Sequence, residues 1–134
     1  MKRQLDQIIF FLDRSIGKHF VADALSKAGA NIEIHDDHFL IDANDDVWLS
    51  EVGKKGWMVI TKDKRFKNHK LELEAIKTTK VGVFTLTAGQ LSGQDMAEIF
   101  VKALPVMLDF VAANPTPFMA KITQSAKVIK SDVI

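Results

Sequence analysis

Residues 8–13 read IIFFLD, five apolar residues closed by an aspartate, and residues 57–63 repeat this arrangement as WMVITKD. Unbroken apolar runs of this length are typical of strands that are buried on both faces of a parallel sheet. Asp13 and Asp63 therefore stand where two such strands are expected to end. Open α/β sheets bind ligands outside the carboxyl ends of their strands, so both aspartates are candidates for a functional site.

Predicted strands and helices alternate through the rest of the chain. We expect Ser15 to cap the first helix and Pro105 to kink or split the last one. This order predicts one domain, residues 1–134, folded as a three-layer α/β/α sandwich with a central, mostly parallel sheet. A C-terminal β-hairpin is expected to extend one edge of that sheet. The predicted strands are residues 7–12, 31–35, 57–61 and 81–86, the helices 15–29, 45–55, 66–78 and 93–113, and the hairpin 118–130.

Composition narrows the class of protein. The chain has 134 residues, 47% of them hydrophobic and 26% charged, which is ordinary for a globular domain. It contains no cysteine, which excludes disulfides, thiolate zinc sites and cysteine nucleophiles. Its apolar runs are shorter than the roughly 18 residues that a membrane span needs, and residues 1–6 are too polar for a signal peptide. A cytoplasmic protein without membrane contact is therefore expected.

Three carboxylates are candidate metal ligands and catalytic groups: Asp13, Asp45 and Asp63. Asp45 opens the helix that leads into the strand 57–61, and helix capping explains it as well as metal binding does. Asp63 alone is also explained as a turn residue that bonds its own backbone, and its parallel with Asp13 favours the functional interpretation. Hard oxygen ligands without thiols favour Mg²⁺ or Mn²⁺ over zinc.

Basic residues surround Asp63, because Lys62, Lys64, Arg65, Lys67 and Lys70 follow one another with Asp63 the only acid among them. Such a run is either a solvated surface or a binding site for phosphate, and its place beside the carboxylates supports the second interpretation.

Within this basic surface, Arg14, Lys62 and Arg65 are the predicted substrate-binding residues, since they could screen charge on a phosphate. The nearby stretch HDDH at residues 35–38 lacks the spacing of a zinc site, although Asp37 or His38 could contact substrate at the rim.

Several short motifs, in this order and spacing, resemble the PIN-like domains, and most nearly their VapC-type, toxin-like branch. They are FFLDR (10–14), GA (29–30), DDVWL (45–49), VITKDKR (59–65) and PFMAKIT (117–123). The resemblance implies an α/β/α sandwich, acidic residues that bind Mg²⁺ or Mn²⁺, and endoribonuclease activity on RNA. Many members of that branch are toxins paired with an antitoxin protein, and homodimers are common among them.

Carried over residue by residue, the resemblance matches Asp13 to the acid after the first strand and Asp63 to the acid after the third. Asp45 matches the acid of the middle helix, where many PIN domains have glutamate. A fourth acid has no convincing match, because the chain offers Asn68 and His69 but no acid between Asp63 and Glu72. Without this acid, the chain lacks a ligand that the family pattern would provide for a second metal ion.

Three functions compete at this point. The leading one is a metal-dependent endoribonuclease, the toxin of a toxin–antitoxin pair. The alternative is a PIN-like module that binds RNA or protein with weak or no catalysis, which the missing fourth acid favours. The third is a phosphoryl-accepting receiver domain, which needs a paired acid near the first strand, where this chain has Arg14 after Asp13.

Overall fold

The structure is a computed structural model that describes residues 7–132 and residue 134. The polar start at residues 1–6, on which the argument against a signal peptide depends, lies outside the described residues. Short 3₁₀ turns follow three of the strands, at Arg14–Ile16, His35–Asp37 and Phe66–Asn68. The strands and helices, in chain order, are β1 (Ile9–Leu12), α1 (Phe20–Lys27), β2 (Asn31–Ile34), α2 (Asp45–Lys54), β3 (Met58–Thr61), α3 (Lys70–Thr79), β4 (Gly82–Leu86), α4 (Gly93–Ala113), β5 (Phe118–Ile122) and β6 (Val128–Lys130).

The six strands form one sheet in the order β2-β1-β3-β4-β5-β6. All neighbours pair in parallel except β5 and β6, which form the expected antiparallel hairpin at one edge. The chain leaves β1 toward β2 on one side, whereas β3 and β4 extend the sheet on the other side. This change of direction opens a crevice at the carboxyl ends of β1 and β3, the place where open α/β sheets bind their ligands.

Helices cover both faces of the sheet, as the alternating side chains of β1 illustrate. Phe10 and Leu12 pack in the core under α1 and α4, while Phe11 packs in the core under α2 and α3. All three side chains are fully buried. The unbroken apolar run therefore reflects a strand between two helix layers, and the three-layer α/β/α prediction is confirmed.

One local prediction is wrong, and the split that was one of the two outcomes predicted for Pro105 is absent. Ser15 does not cap α1, because α1 begins at Phe20 and the residue before it, His19, makes no side-chain capping bond. Pro105 does not split the last helix, because α4 runs from Gly93 to Ala113 through it. Pro105 has no N–H to bond the carbonyl of Val101, one turn earlier in the helix. Both residues are exposed, so water can satisfy that carbonyl.

Among the described residues, no helix combines the length and apolar character that a bilayer crossing requires.

Candidate active site at the carboxyl edge of the sheet

A pocket of about 180 Å³ opens at the carboxyl ends of β1 and β3 and contains all three predicted aspartates. The crossover at this edge brings together segments that are up to fifty residues apart in the chain. The residues that line it are Asp13, Arg14, Ser15, His35, Ile41, Ala43, Asp45, Trp48, Asp63 and Arg65. We call it the aspartate pocket.

Asp13 is the buried acid of the aspartate pocket, with only 6% of its surface exposed. It caps the 3₁₀ turn after β1, where its Oδ1 accepts hydrogen bonds from the backbone N–H of Ser15, at 3.0 Å, and from the Ser15 hydroxyl. Its Oδ2 accepts a hydrogen bond from the Thr61 hydroxyl at the end of β3. Burial raises the pKa of Asp13 from 3.8 to about 6, because the hydroxyl hydrogen bonds offset only part of the lost hydration.

Two hydroxyl groups tie the ends of β1 and β3 together. The Ser15 hydroxyl accepts from the backbone N–H of Lys62 at 2.9 Å, and the Thr61 hydroxyl accepts from that of Asp63 at 2.9 Å. Each hydroxyl thus bonds Asp13 and also the backbone that leads to Asp63. Sequence reasoning missed both roles, although the spacings Asp-x-Ser and Thr-x-Asp directly after buried strands were the available signal.

The carboxylate of Asp63 accepts its hydrogen bonds, among the described residues, from Arg65. Its Oδ1 accepts from the Arg65 backbone N–H at 2.9 Å and from Nε at 3.0 Å, while its Oδ2 accepts from a terminal guanidinium nitrogen at 3.0 Å. These hydrogen bonds, with the charge of Arg65, lower the pKa of Asp63 below its usual value. Asp63 is therefore both the turn residue and the pocket residue that the sequence left as alternatives.

Asp45 occupies the first helical position of α2, and the capping position before it is Asn44. No side-chain bond caps this helix, so the capping explanation of Asp45 is wrong. Its Oδ1 instead accepts from the indole N–H of the buried Trp48 at 2.9 Å. Asp45 therefore lines the aspartate pocket, whereas the adjacent Asp46 is not among the described residues that line it.

Arg65 is exposed, and the charges of three acids act on its guanidinium. Asp63 raises its pKa most, and the negative charges of Asp45 and Glu72 add to the effect. Glu72, at the start of α3, is the first acid after Asp63 in the chain, and it faces His69 at 3.8 Å. Glu72 is not among the described residues that line the aspartate pocket, and the fourth acid of the family pattern stays without a match.

The rim beside β2 differs from the sequence prediction. Neither Asp37 nor His38 is among the described residues that line the pocket, and His38 instead bonds Glu33 at 2.6 Å. From this rim, His35 lines the aspartate pocket, and it is 3% exposed. Sequence reasoning missed it because its position depends on packing against Phe11 and Trp48.

Two of the three predicted substrate-binding residues line the aspartate pocket, and the third does not. Arg14 and Arg65 line the aspartate pocket, whereas Lys62 does not and contributes its backbone N–H to Ser15. Asp36 holds Arg14 at 3.2 Å and Lys18 at 2.8 Å, and the contacts with Lys18 and His35 lower the pKa of Asp36 to about 2. Two guanidinium groups therefore lie beside the carboxylates, each paired with an acid.

Carboxylate oxygens are the right donors for a hard divalent ion. Within residues 7–132 and 134, however, no three His, Cys, Asp or Glu side chains are close enough together to hold a metal ion. The ion pair from Arg65 covers both oxygens of Asp63, and Trp48 holds one oxygen of Asp45. The donor chemistry fits a hard divalent ion, but the three carboxylates would have to approach one another, and Asp63 would have to lose the guanidinium of Arg65, before they could share one.

The protein is a doubly wound α/β sandwich with an acidic pocket at its switch point. A family model described as a PIN-like domain matches residues 8–88, which span β1 to the end of β4. The chain belongs to the PIN-like domain family, whose members are commonly nucleases. Searches of curated proteins and of solved structures found no match. The family match favours the PIN-like functions over the receiver domain.

Proposed function

We propose that the chain is a metal-dependent endoribonuclease that hydrolyses phosphodiester bonds of RNA in the aspartate pocket. One observation carries the proposal: Asp13, Asp45 and Asp63 come from three separate elements and line one pocket together with two arginines. In this proposal the three aspartates hold Mg²⁺ or Mn²⁺, and Glu72 adds negative charge nearby. A bound ion of this kind activates water and stabilises the leaving oxygen.

The chain's own residues divide the remaining work. Ser15 and Thr61 fix the carboxylate of Asp13, so that its two oxygens keep one orientation. Arg65 leaves Asp63 and binds a phosphate oxygen, while Arg14 approaches the phosphate from the β2 side, where Asp36 orients it. A guanidinium is suited to both tasks because its planar fork matches carboxylate and phosphate alike.

The test replaces single carboxylates with their amides. Asp13→Asn and Asp63→Asn should each lower RNA cleavage by roughly 100-fold or more, since each removes charge from the reacting centre. Both variants should also bind Mn²⁺ more weakly in a calorimetric titration. Asp109→Asn, an exposed acid on α4, is the matched control and should behave as the wild type does. Cleavage that persists in both variants, or that continues in excess chelator, would overturn the proposal.

A second function is favoured by the ion pair between Arg65 and Asp63. If the guanidinium of Arg65 stays on Asp63, the pocket keeps no complete ligand set, and the chain is an RNA- or protein-binding module of PIN-like fold. This module binds RNA equally well with Mg²⁺ and with chelator and yields no products. Product formation by the wild type distinguishes the two functions.

The toxin assignment is a further part of the proposal and depends on the resemblance of the motifs to the VapC-type branch. It implies a small antitoxin protein that binds this chain and suppresses its activity in the cytoplasm, and it allows a homodimer. A neighbouring reading frame whose product co-purifies with the chain and relieves its toxicity would support this assignment, whereas a gene without such a neighbour would count against it.

A further inference from the structure

A second pocket lies beside the aspartate pocket, at the carboxyl ends of β4 and β5. It measures about 160 Å³, and its lining includes Lys64, Lys67, Thr85, Met119 and Lys121. We call it the lysine pocket. Its lysines come from two separate parts of the chain, the turn after β3 and strand β5.

The strand register connects the two pockets. Thr61, which bonds Asp13, pairs with Thr85 on β4, and Thr85 pairs with Lys121 on β5. Side chains of directly paired residues lie on the same face of a sheet, so a polar row extends from Asp13 to Lys121. Two strand spacings, about 10 Å, separate Thr61 from Lys121. A flexible single strand can span that distance with a few nucleotides.

The charges of the lysine pocket are not balanced by neighbours. No acid is among the described residues that line it, and no ion pair involves Lys64, Lys67 or Lys121 within residues 7–132 and 134. All three ammonium groups are on exposed residues. The arginines of the aspartate pocket, in contrast, are paired with Asp36 and Asp63. The lysine pocket therefore offers its positive charge to an anion from outside the chain.

The inner part of the lysine pocket is less polar than its rim. Met119 is 6% exposed and packs in the core under α2 and α3, and Thr85 is 8% exposed. Methionine side chains adapt to flat rings, and lysine stems add further apolar surface. A ligand that carries both a phosphate and a planar ring matches this combination better than a bare anion does.

We propose that the lysine pocket binds one nucleotide of the RNA strand that is cut in the aspartate pocket. Its phosphate lies among Lys64, Lys67 and Lys121, and its base packs against Met119 and Thr85. This inference rests on the proposed ribonuclease function for its substrate, but nucleotide binding can be measured without cleavage.

The first experiment titrates nucleoside monophosphates into the isotope-labelled protein in excess chelator and follows its NMR signals. We expect saturable shifts of the Thr85 amide and the Met119 methyl group, and weaker binding of ribose 5-phosphate. Lys121→Ala should weaken binding about tenfold, the effect of losing one charge-assisted contact. Lys77→Ala, which removes the same charge from an exposed site on α3, should leave it unchanged. Absent shifts, or inorganic phosphate binding as well as the nucleotides, would overturn the proposal.

The second experiment measures the affinity of a labelled single-stranded oligoribonucleotide at several salt concentrations, again in chelator. One lost phosphate contact should reduce the slope of log affinity against log salt by about 0.7 in Lys121→Ala, with no change in Lys77→Ala. Equal slopes in both variants would contradict the lysine pocket even if the wild type cleaves RNA. Pocket-dependent binding in chelator, together with no cleavage of the same oligoribonucleotide in Mg²⁺ or Mn²⁺, would instead support the lysine pocket and overturn the ribonuclease proposal.

Discussion

Asp13 has an environment that a surface carboxylate lacks. Two hydroxyl groups and a backbone N–H bond it, and almost none of its surface reaches water. The carboxylate therefore cannot rotate without breaking bonds to both β1 and β3 neighbours. Such fixed orientation is what a ligand or a catalytic group requires, and the hydroxyl of Thr61 is central to it because it also bonds the backbone of Asp63.

Removing that hydroxyl tests this arrangement at a single residue. Thr61→Val keeps the shape of the side chain but takes away the donor to Asp13 and the acceptor for the Asp63 N–H. We expect RNA cleavage and Mn²⁺ affinity to fall by roughly 10- to 100-fold, the usual effect of losing a partner of a metal ligand. Thr61→Ser keeps the hydroxyl and should retain most of the activity. Equal activity of the Val and Ser variants would show that the hydroxyl has no such role.

For single residues, the sequence predicts where some of them lie but not which partners they bond. Asp13 and Asp63 were recognised because strand ends follow from apolar runs, and topology then brings them to one pocket. The partners of these acids were not recognised, because the Arg65 side chain reaches back to Asp63 through a conformation that spacing does not specify. Asp45 illustrates the same limit: it lies one residue inside α2 and bonds Trp48 instead of capping the helix, which only the three-dimensional structure reveals.

Among the elements, α2, which begins at Asp45, packs against α3. The two helices approach closely at Gly53, where a Cβ atom would lie 2.0 Å from the hydroxyl oxygen of Thr79 and 2.6 Å from a methyl carbon of Val81. Glycine is needed at this position because no side-chain atom fits there. Its backbone does not adopt the positive φ that also favours glycine. A helix glycine that looks like a weak point in sequence is thus a packing requirement.

Gly53→Ala should therefore destabilise the protein, although alanine favours helices by about 1 kcal/mol over glycine. Overpacking typically costs about 1–3 kcal/mol, and the backbone of α2 must move to relieve it. Urea unfolding should show a lower midpoint for this variant. Gly89→Ala is the matched control, because a Cβ atom at Gly89 meets nothing within 4 Å. An unchanged or raised midpoint for Gly53→Ala would contradict the close approach.

Strand and helix order was predictable because apolar periodicity records burial. Element ends and the first helix were predicted less well, since β1 leads into a 3₁₀ turn that Asp13 caps and α1 starts later without a side-chain cap. The continuity of α4 through Pro105 agrees with the exposure of Val101 and Pro105, because water can satisfy a carbonyl that proline leaves without its helical donor. Local sequence rules miss these points because tertiary packing decides them.

For the whole molecule, the raised pKa of Asp13 links stability to pH. The folded protein holds the Asp13 proton up to about pH 6, whereas the unfolded chain releases it near 3.8. The stabilisation is complete below pH 3.8 and is lost as the pH rises to about 6. A shift of this size corresponds to about 3 kcal/mol in the free energy of unfolding.

We expect the metal-free protein to lose stability between pH 4 and 6 through this group, and Asp13→Asn to show a flatter profile. Asp36 has the opposite effect, because its pKa in the folded protein is lowered from 3.8 to about 2. Its contribution to the free energy of unfolding is present above pH 3.8 and is lost as the pH falls toward 2. Chemical unfolding in chelator, repeated across this pH range, measures the difference between the variants. Parallel profiles of wild type and Asp13→Asn would contradict a buried, proton-binding Asp13.

The antiparallel hairpin at the edge of the sheet has a consequence for how such proteins can diverge. Among the described residues, those that line the aspartate pocket all lie between residues 13 and 65, whereas the lining of the lysine pocket includes Lys121 on the hairpin strand β5. The family match ends at residue 88, before α4 and the hairpin begin. A PIN-like domain that shares only residues 8–88 with this chain would therefore share the three aspartates but not Lys121.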